Sequence, residues 1–326
     1  MTTEAPAPLP VIDAVVIGRN EGARLIACLD SLAGQVRRVV YVDSGSSDGS
    51  VAAAEARGVE VVALAMRHPF TAARARNAGL ARLAQMPEPA ALVQLMDGDC
   101  SLDPAWLATA AAFMAEHPTV AVVCGRRRER HPEASFYNRL CDEEWDTPIG
   151  EAKACGGDAL MRRAPLQEVG GYRETLIAGE EPELCLRLRR AGWQVWRLDA
   201  EMTLHDAQMT RFSQWWKRSR RAGHAFAEGA WLHGASPERH WVAETRRALL
   251  WGAGLPLAVL LFAVLVPPLA ALLALAYPAQ LGRLAGRMGL KRAAFSLMGK
   301  SAEALGVIEF HLNRLRGRGR GLIEYK

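Results

Sequence analysis

No two of the six cysteines in this 326-residue chain form a CxxC pair. Cys28, Cys100, Cys124, Cys141, Cys155 and Cys185 stand apart, most of them inside apolar runs. That spacing argues against a zinc site and for reduced thiols in a cytosolic protein. The opening MTTEAPAPLP has neither a basic start nor a continuous apolar core, so no secretory signal is expected. Acids are few toward the C-terminal end, where arginines cluster, and the formal net charge of +5 therefore describes a local basic surface. Across residues 249–281 charge is missing altogether. What is present, 50% hydrophobic and 23% charged residues, is the composition of an ordered globular protein with one large domain or two ordinary ones.

Between residues 11 and 125, short β-branched runs (11–17, 39–42, 59–64, 92–96 and 120–124) alternate with alanine-rich helical stretches. That order predicts a mainly parallel sheet with helices on both faces. In such sheets ligands bind beyond the carboxyl ends of the strands. The exits read GRNE (18–21), DSGSSDGS (43–50), RHPF (67–70) and DGDC (97–100), and three of the four carry carboxylates.

Beyond residue 138 the pattern is less regular until the helical PELCLRLRRAG, and residues 210–234 interleave aromatics with cations. The charge-free stretch is broken by Pro256 and by Pro267 and Pro268. It exceeds the roughly 20 residues of a membrane helix, but each half has about 15 residues and reaches only about 22 Å, too short for two crossings. Arg246, Arg247, Arg283 and Arg287 flank it and favour placing both ends on the cytoplasmic face. A proline-broken re-entrant or interfacial hairpin is expected, with one tilted crossing as the alternative. The chain then divides into a flexible N-terminus (1–10), a catalytic domain (11–209), amphipathic interfacial helices (210–245), and a hydrophobic hairpin with a basic tail (246–326).

The two carboxylates of DGD repel each other in a partly buried crevice unless a cation lies between them. Oxygen donors of this kind suit Mg2+ or Mn2+, whose shells are completed by water and substrate phosphates. Gly98 between them lets the backbone approach a ligand closely. Taken with VVIGRNE, VYVDSGSSDGS, ARNAGLA, CGGDALMRRAPLQEVGGY and GEEPELCLRLRRAGW in that order, the chain resembles the family 2 glycosyltransferases over residues 11–192. The resemblance implies an α/β GT-A fold, Rossmann-like with flanking helices, here followed by a C-terminal helical, membrane-associated region.

The resemblance also implies roles for residues. Asp43 would meet the base of the nucleotide, with Ile17, Arg19 and Glu21 nearby. Ser44 replaces the family's second acid and leaves the base open, uridine being the first expectation. Arg76 and Asn77 would face the nucleotide-sugar, yet helical spacing pairs Arg74 with Asn77, so which arginine points inward stays open. Asp97 and Gly98 would address sugar or ribose, and Asp99 a metal. His205 in TLHDAQ is either a further metal ligand or a satisfied structural histidine. Gly156, Gly157 and Asp158 fall on the acceptor side, and Trp215, Trp216 and Arg218 lie in a loose counterpart of the family's Gln-x-x-Arg-Trp motif. Glu181 stands where the family carries its catalytic aspartate, with Glu180 as a substitute. A helix N-terminus there would favour the ionised form.

The expected function is inverting, Mg2+- or Mn2+-dependent sugar transfer from a nucleotide-diphosphate sugar, UDP-sugar first. The acceptor would be lipid-linked or membrane-proximal, at the cytoplasmic face of the inner membrane, in polysaccharide, glycolipid or cell-envelope synthesis, with no nucleic acid involved. A sugar-phosphate nucleotidyltransferase is one alternative, but IGRNEGARL supplies its glycine-rich loop only loosely. A non-catalytic membrane scaffold is the other, and the intact acids at the strand exits argue against it.

Overall fold

A computed structural model describes residues 10–317; most of the N-terminal stretch expected to be flexible (1–9) and the end of the basic tail (318–326) lie outside the described residues. The chain forms two compact units. One takes the residues up to Thr175 together with Glu180–Gln208, and the other takes Leu176–Gly179 and the residues from Met209 on.

In the first unit β1 (Ile12–Gly18), β2 (Arg38–Asp43), β3 (Glu60–Ala63) and β4 (Leu92–Asp97) are joined through α1 (Ala23–Leu32), α2 (Ser50–Glu55) and α3 (Ala72–Gln85). β1 lies between β2 and β4 and is parallel to both, and β3 continues the sheet beyond β2. The chain winds outward from β1 to β3 and returns to the opposite side for β4. The switch point therefore falls between β1 and β4, where a crevice opens at their carboxyl ends. Register sets Gly18 beside Asp43 and Ile17 beside Asp97, so the carboxylates that end β2 and β4 flank one strand terminus.

The rest of the unit is β5 (Cys100–Leu102), α4 (Trp106–Glu116), β6 (Val120–Glu129), α5 (Phe136–Glu144), β7 (Gly150–Glu151), β8 (Ala159–Arg162), α6 (Arg163–Glu168), α7 (Glu180–Arg190) and β9 (Gln194–His205). β8 runs antiparallel to both β4 and β6. β9 is parallel to β6 and takes β5 and β7 antiparallel. The order is β3-β2-β1-β4-β8-β6-β9-β5, so the sheet is mixed, and the parallel arrangement expected from alternation is confined largely to its first half. Local alternation reports faces and not partners, and β8 finds its partners far away in sequence. Val15, Val40, Leu95, Val122 and Leu160 form the centre of the core without exposed surface.

The second unit is helical: α8 (Phe212–His233), α9 (Val242–Leu249), a π turn (Leu250–Gly254), α10 (Leu255–Leu265), α11 (Pro267–Ala274), α12 (Ala276–Met288) and α13 (Leu290–Leu315). The π turn carries the helix past Pro256, which lacks the amide an α-helix needs. Val266, kept out of the helical region ahead of Pro267 (φ −148°, ψ 77°), makes the one sharp break in the apolar stretch. The result is two helices long and apolar enough to cross a membrane, Val242–Leu265 with 24 residues and Pro267–Met288 with 22. At about 1.5 Å per residue they reach about 36 and 33 Å, against a hydrocarbon core of about 30 Å. Both helices run outward past the charge-free stretch, one to include Glu244, Arg246 and Arg247 and the other Arg283 and Arg287. Leu257, Leu260, Val264 and Leu272 are exposed along them.

α8 and α13 approach at backbone contact through glycines. A Cβ on Gly223 would lie 2.0 Å from the Glu303 carbonyl oxygen, and one on Gly306 would lie 2.0 Å from that of Arg220. Gly223→Ala should therefore destabilise the chain by about 1–3 kcal/mol, the usual cost of overpacking. Thermal unfolding in detergent checks this; an unchanged midpoint would contradict so close an approach.

Candidate active site

Arg76, on α3, is 2% exposed and carries its guanidinium into a ring of acids. Its Nη2 donates to Asp97 Oδ1 at 2.8 Å. Its Nη1 donates to Glu180 Oε1 at 3.2 Å and pairs with Glu181 Oε1 at 2.7 Å. The Tyr172 ring lies beneath it, 5.6 Å from centroid to guanidinium carbon. Arg74 points the other way and ties down the β3–α3 loop through the carbonyls of Ala65, His68 and Pro69, which settles which arginine turns inward. Asn77 departs from its expected role. Its amide is committed to both backbone groups of Tyr172 and to the Glu174 carboxylate, so it clasps the segment after α6.

The arginine cannot neutralise every acid around it. Burial first, then the neighbouring Glu180 carboxylate, push the Glu181 carboxyl up to about 7, against the pull of Arg76. The helix N-terminus, expected to favour the ionised form, is outweighed because desolvation of a carboxylate exceeds the few tenths to 1 kcal/mol of a terminal dipole.

Asp97 is held from its other side as well. Arg127 of β6 reaches its Oδ2 at 3.3 Å, and the Asp97 backbone N–H donates to Asp158 Oδ1 at 3.0 Å. Asp158 was expected to meet an acceptor, but it is buried, accepts from Thr203 Oγ1 at 2.8 Å, and so acts as a clamp that fixes the end of β4. Gly157 is needed for a different reason: a Cβ there would lie 2.6 Å from Arg76 Nη2 and 2.7 Å from Asp97 Oδ2. Gly156 beside it meets no neighbouring atom and is exposed.

Asp99 and His205 come together although far apart in sequence, because β5 pairs with the end of β9. His205 Nε2 is 3.3 Å from Asp99 Oδ2, and both residues are buried. Burial, reinforced by the Arg127 charge, lowers the His205 pKa, leaving a neutral imidazole with a lone pair to offer. Cys100 completes a cluster of potential ligand atoms within 4.8 Å. Its thiol is pushed up by burial, however, and a protonated soft sulfur suits Mg2+ or Mn2+ poorly. One carboxylate oxygen and one neutral imidazole fit a borderline cation such as Mn2+.

At the β1 and β2 exits, Asp43 accepts from Tyr41 Oη at 3.0 Å and from the N–H groups of Gly45 and Ser46, at 3.0 and 2.9 Å. Asn20 is in the left-handed region (φ 56°) and accepts from Ser47 N–H at 2.7 Å, locking the two exit loops together. The Arg19 guanidinium lies over the Phe70 ring at 4.8 Å, Glu21 pairs with Arg24 at 2.6 Å, and the Gly98 N–H donates to the Ile17 carbonyl at 2.8 Å. In the second unit Trp215, expected at a membrane interface, is buried against Phe212 and Phe295. Trp216 and Arg218 are half-buried.

Arg127 and Glu129 escaped sequence reading because GRRRER looks like a solvated charge run. The signal was their spacing of two, which puts both on one face of a prolonged strand. Arg76→Met should destabilise the chain by about 3–5 kcal/mol, the usual penalty for removing one partner of a buried ionic cluster. Denaturant unfolding checks it; a loss below about 1 kcal/mol would show that the carboxylates do not depend on Arg76.

The sequence matches the model of the family described as glycosyl transferase family 2 over residues 13–170. It is 26% identical over 217 residues to the pre-mycofactocin glycosyltransferase of Mycobacterium tuberculosis, an alignment covering 63% of this chain and 44% of that protein. The chain thus spans less than half the length of this curated relative. A mannosyltransferase from Pyrobaculum calidifontis, solved with GDP-Man and Mn2+, superposes with a TM-score of 0.65 at 20% identity, covering 95% of this chain and 89% of that one. The enzyme GalNAc-T7, solved with UDP, GalNAc and Mn2+, superposes with a TM-score of 0.52 at 14% identity, covering 76% and 52%. Residues 13–170, from β1 to the end of α6, thus match glycosyl transferase family 2, and the mixed sheet that they share with β9 has the GT-A fold.

Proposed function

We propose that the chain transfers a sugar from a nucleotide-diphosphate sugar to a hydroxyl of a lipid-linked or membrane-proximal acceptor, with inversion at the anomeric carbon. The observation that carries this reading is the cluster around Arg76, which brings a donor-side acid, Asp97, and a candidate base, Glu181, onto one guanidinium. The Glu181 carboxylate takes the proton of the acceptor hydroxyl as its oxygen bonds to the anomeric carbon, and the bond from that carbon to the diphosphate oxygen breaks. Arg76 holds Glu181 and Asp97 in fixed relation while this happens, and Glu180 raises the basicity of its neighbour. Asp99 and His205 would hold a Mg2+ or Mn2+ ion, which when bound supplies Lewis-acid stabilisation of the departing nucleotide diphosphate.

The donor is a UDP- or GDP-sugar. Both nucleotides occur in the solved relatives, and Asp43, held by its serine-rich loop, would read the base. The exposed apolar faces of Val242–Leu265 and Pro267–Met288, with Arg246, Arg247, Arg283 and Arg287 at their ends, support membrane seating with the ends on the cytoplasmic face. Polysaccharide, glycolipid or cell-envelope synthesis is the corresponding setting.

Release of nucleotide diphosphate from a panel of UDP- and GDP-sugars tests the reaction; pyrophosphate released from a nucleoside triphosphate would overturn it. Because only ionised Glu181 can accept a proton, kcat/KM should rise with pH through about 7 and level off above it. Glu181→Gln should lower kcat by about 10²–10⁴-fold and abolish that limb of the profile. A variant that kept both would assign the base elsewhere.

A further inference from the structure

We propose that Glu129 is a positioning residue that fixes the tautomer and orientation of His205, so that the imidazole presents the bare Nε2 to a cation shared with Asp99. This inference rests on the metal-dependent reading of the site given above. Glu129 is the last residue of β6, and its side chain has no exposed surface. Its Oε2 lies 3.5 Å from His205 Nδ1 and accepts from the Ala207 N–H at 3.0 Å. Its Oε1 accepts from Asn138 Nδ2 at 3.1 Å and from the His131 N–H at 3.2 Å. A carboxylate bound by so many donors is held rigidly, and the rotation of its plane is set from α5 and from the turn after β9 together.

A neutral imidazole has one N–H and one lone pair. Carboxylates face both ring nitrogens, Glu129 at Nδ1 and Asp99 at Nε2, and a cation held by Asp99 and Nε2 requires the lone pair on Nε2, which puts the N–H on Nδ1, toward Glu129. The lone pair is then left on Nε2, which faces Asp99 Oδ2 at 3.3 Å. The Trp145 ring meets the imidazole edge-on at 4.7 Å and restrains its plane from another side. Arg127, two residues earlier on the same strand, packs over that Trp145 ring at 4.9 Å and reaches Asp97. One stretch of β6 therefore organises both the donor-side acid and the histidine. Carboxylate partners of this kind orient metal-binding histidines and raise their basicity, and their loss weakens metal binding by about 10–100-fold.

The test is Mn2+ binding to the full chain in detergent, followed by the electron paramagnetic resonance signal of free Mn2+, with no donor or acceptor added. Glu129→Gln should weaken Mn2+ binding by about 10–100-fold, whereas in a His205→Ala background the same change should add nothing. Wild-type-like binding by Glu129→Gln, or an equal loss without His205, overturns the proposal. Asp99→Ala identifies the site itself: Mn2+ binding that survives this change, or no binding by the wild-type chain, sinks the metal reading and this inference with it. A second measurement reads the tautomer directly in the unaltered sequence. With 15N-labelled histidine, and the His205 signals assigned by their loss in His205→Ala, Nδ1 should be protonated and Nε2 bare. The opposite tautomer overturns the proposal.

Discussion

The buried guanidinium of Arg76 is the interaction on which the first unit depends. Three carboxylates, from the end of β4 and the start of α7, converge on it, and none of these elements would tolerate the others' charges at this range without it. The cluster is tight enough to exclude a side chain at Gly157, so that glycine before β8 is a packing requirement of the charge cluster. Burial first, and then the neighbouring Glu180 carboxylate, raise the proton affinity of Glu181 against the pull of Arg76. The burial that makes the cluster costly to assemble is thus also what shifts that carboxyl.

A second organising element is the far end of β6. Its first half is ordinary core, with Val122 and Val123 fully buried. Its second half carries Arg127 and Glu129 on one face, and these face Asp97 and His205 respectively. Because β9 runs beside β6 and its end also pairs with β5, the histidine that ends the last strand is delivered to the acid after β4. The antiparallel strands are thus what assemble the site, while the parallel half supplies the exit loops that frame it.

The helical unit is built on a different economy. Glycines at Gly223 and Gly306 let α8 and α13 meet backbone to backbone, and the apolar surface of the two long helices is left outward. Pro256 and Pro267 look alike in sequence, yet the helix absorbs one in a π turn and breaks at the other. The difference lies in what precedes them: Pro267 forces Val266 out of the helical region, whereas Leu255 stays helical.

The strands β1 to β4, their exit loops, the acids Asp43, Asp97 and Asp99, and the existence of a long apolar segment were all legible in the sequence. Each is signalled by local periodicity or by residue types whose chemistry does not depend on distant partners. What only the tertiary structure decided is where side chains point and what they already hold. It turned Arg76 inward and Arg74 outward, bound Asn77 to Tyr172 and Asp158 to the end of β4, buried Trp215, and prolonged β6 through a run of charge. It also raised Glu181 where helix position alone predicted the reverse. In every one of these cases the deciding partner comes from another strand or helix, and the free energy of a buried polar group is set by the partners that surround it, which sequence order does not state.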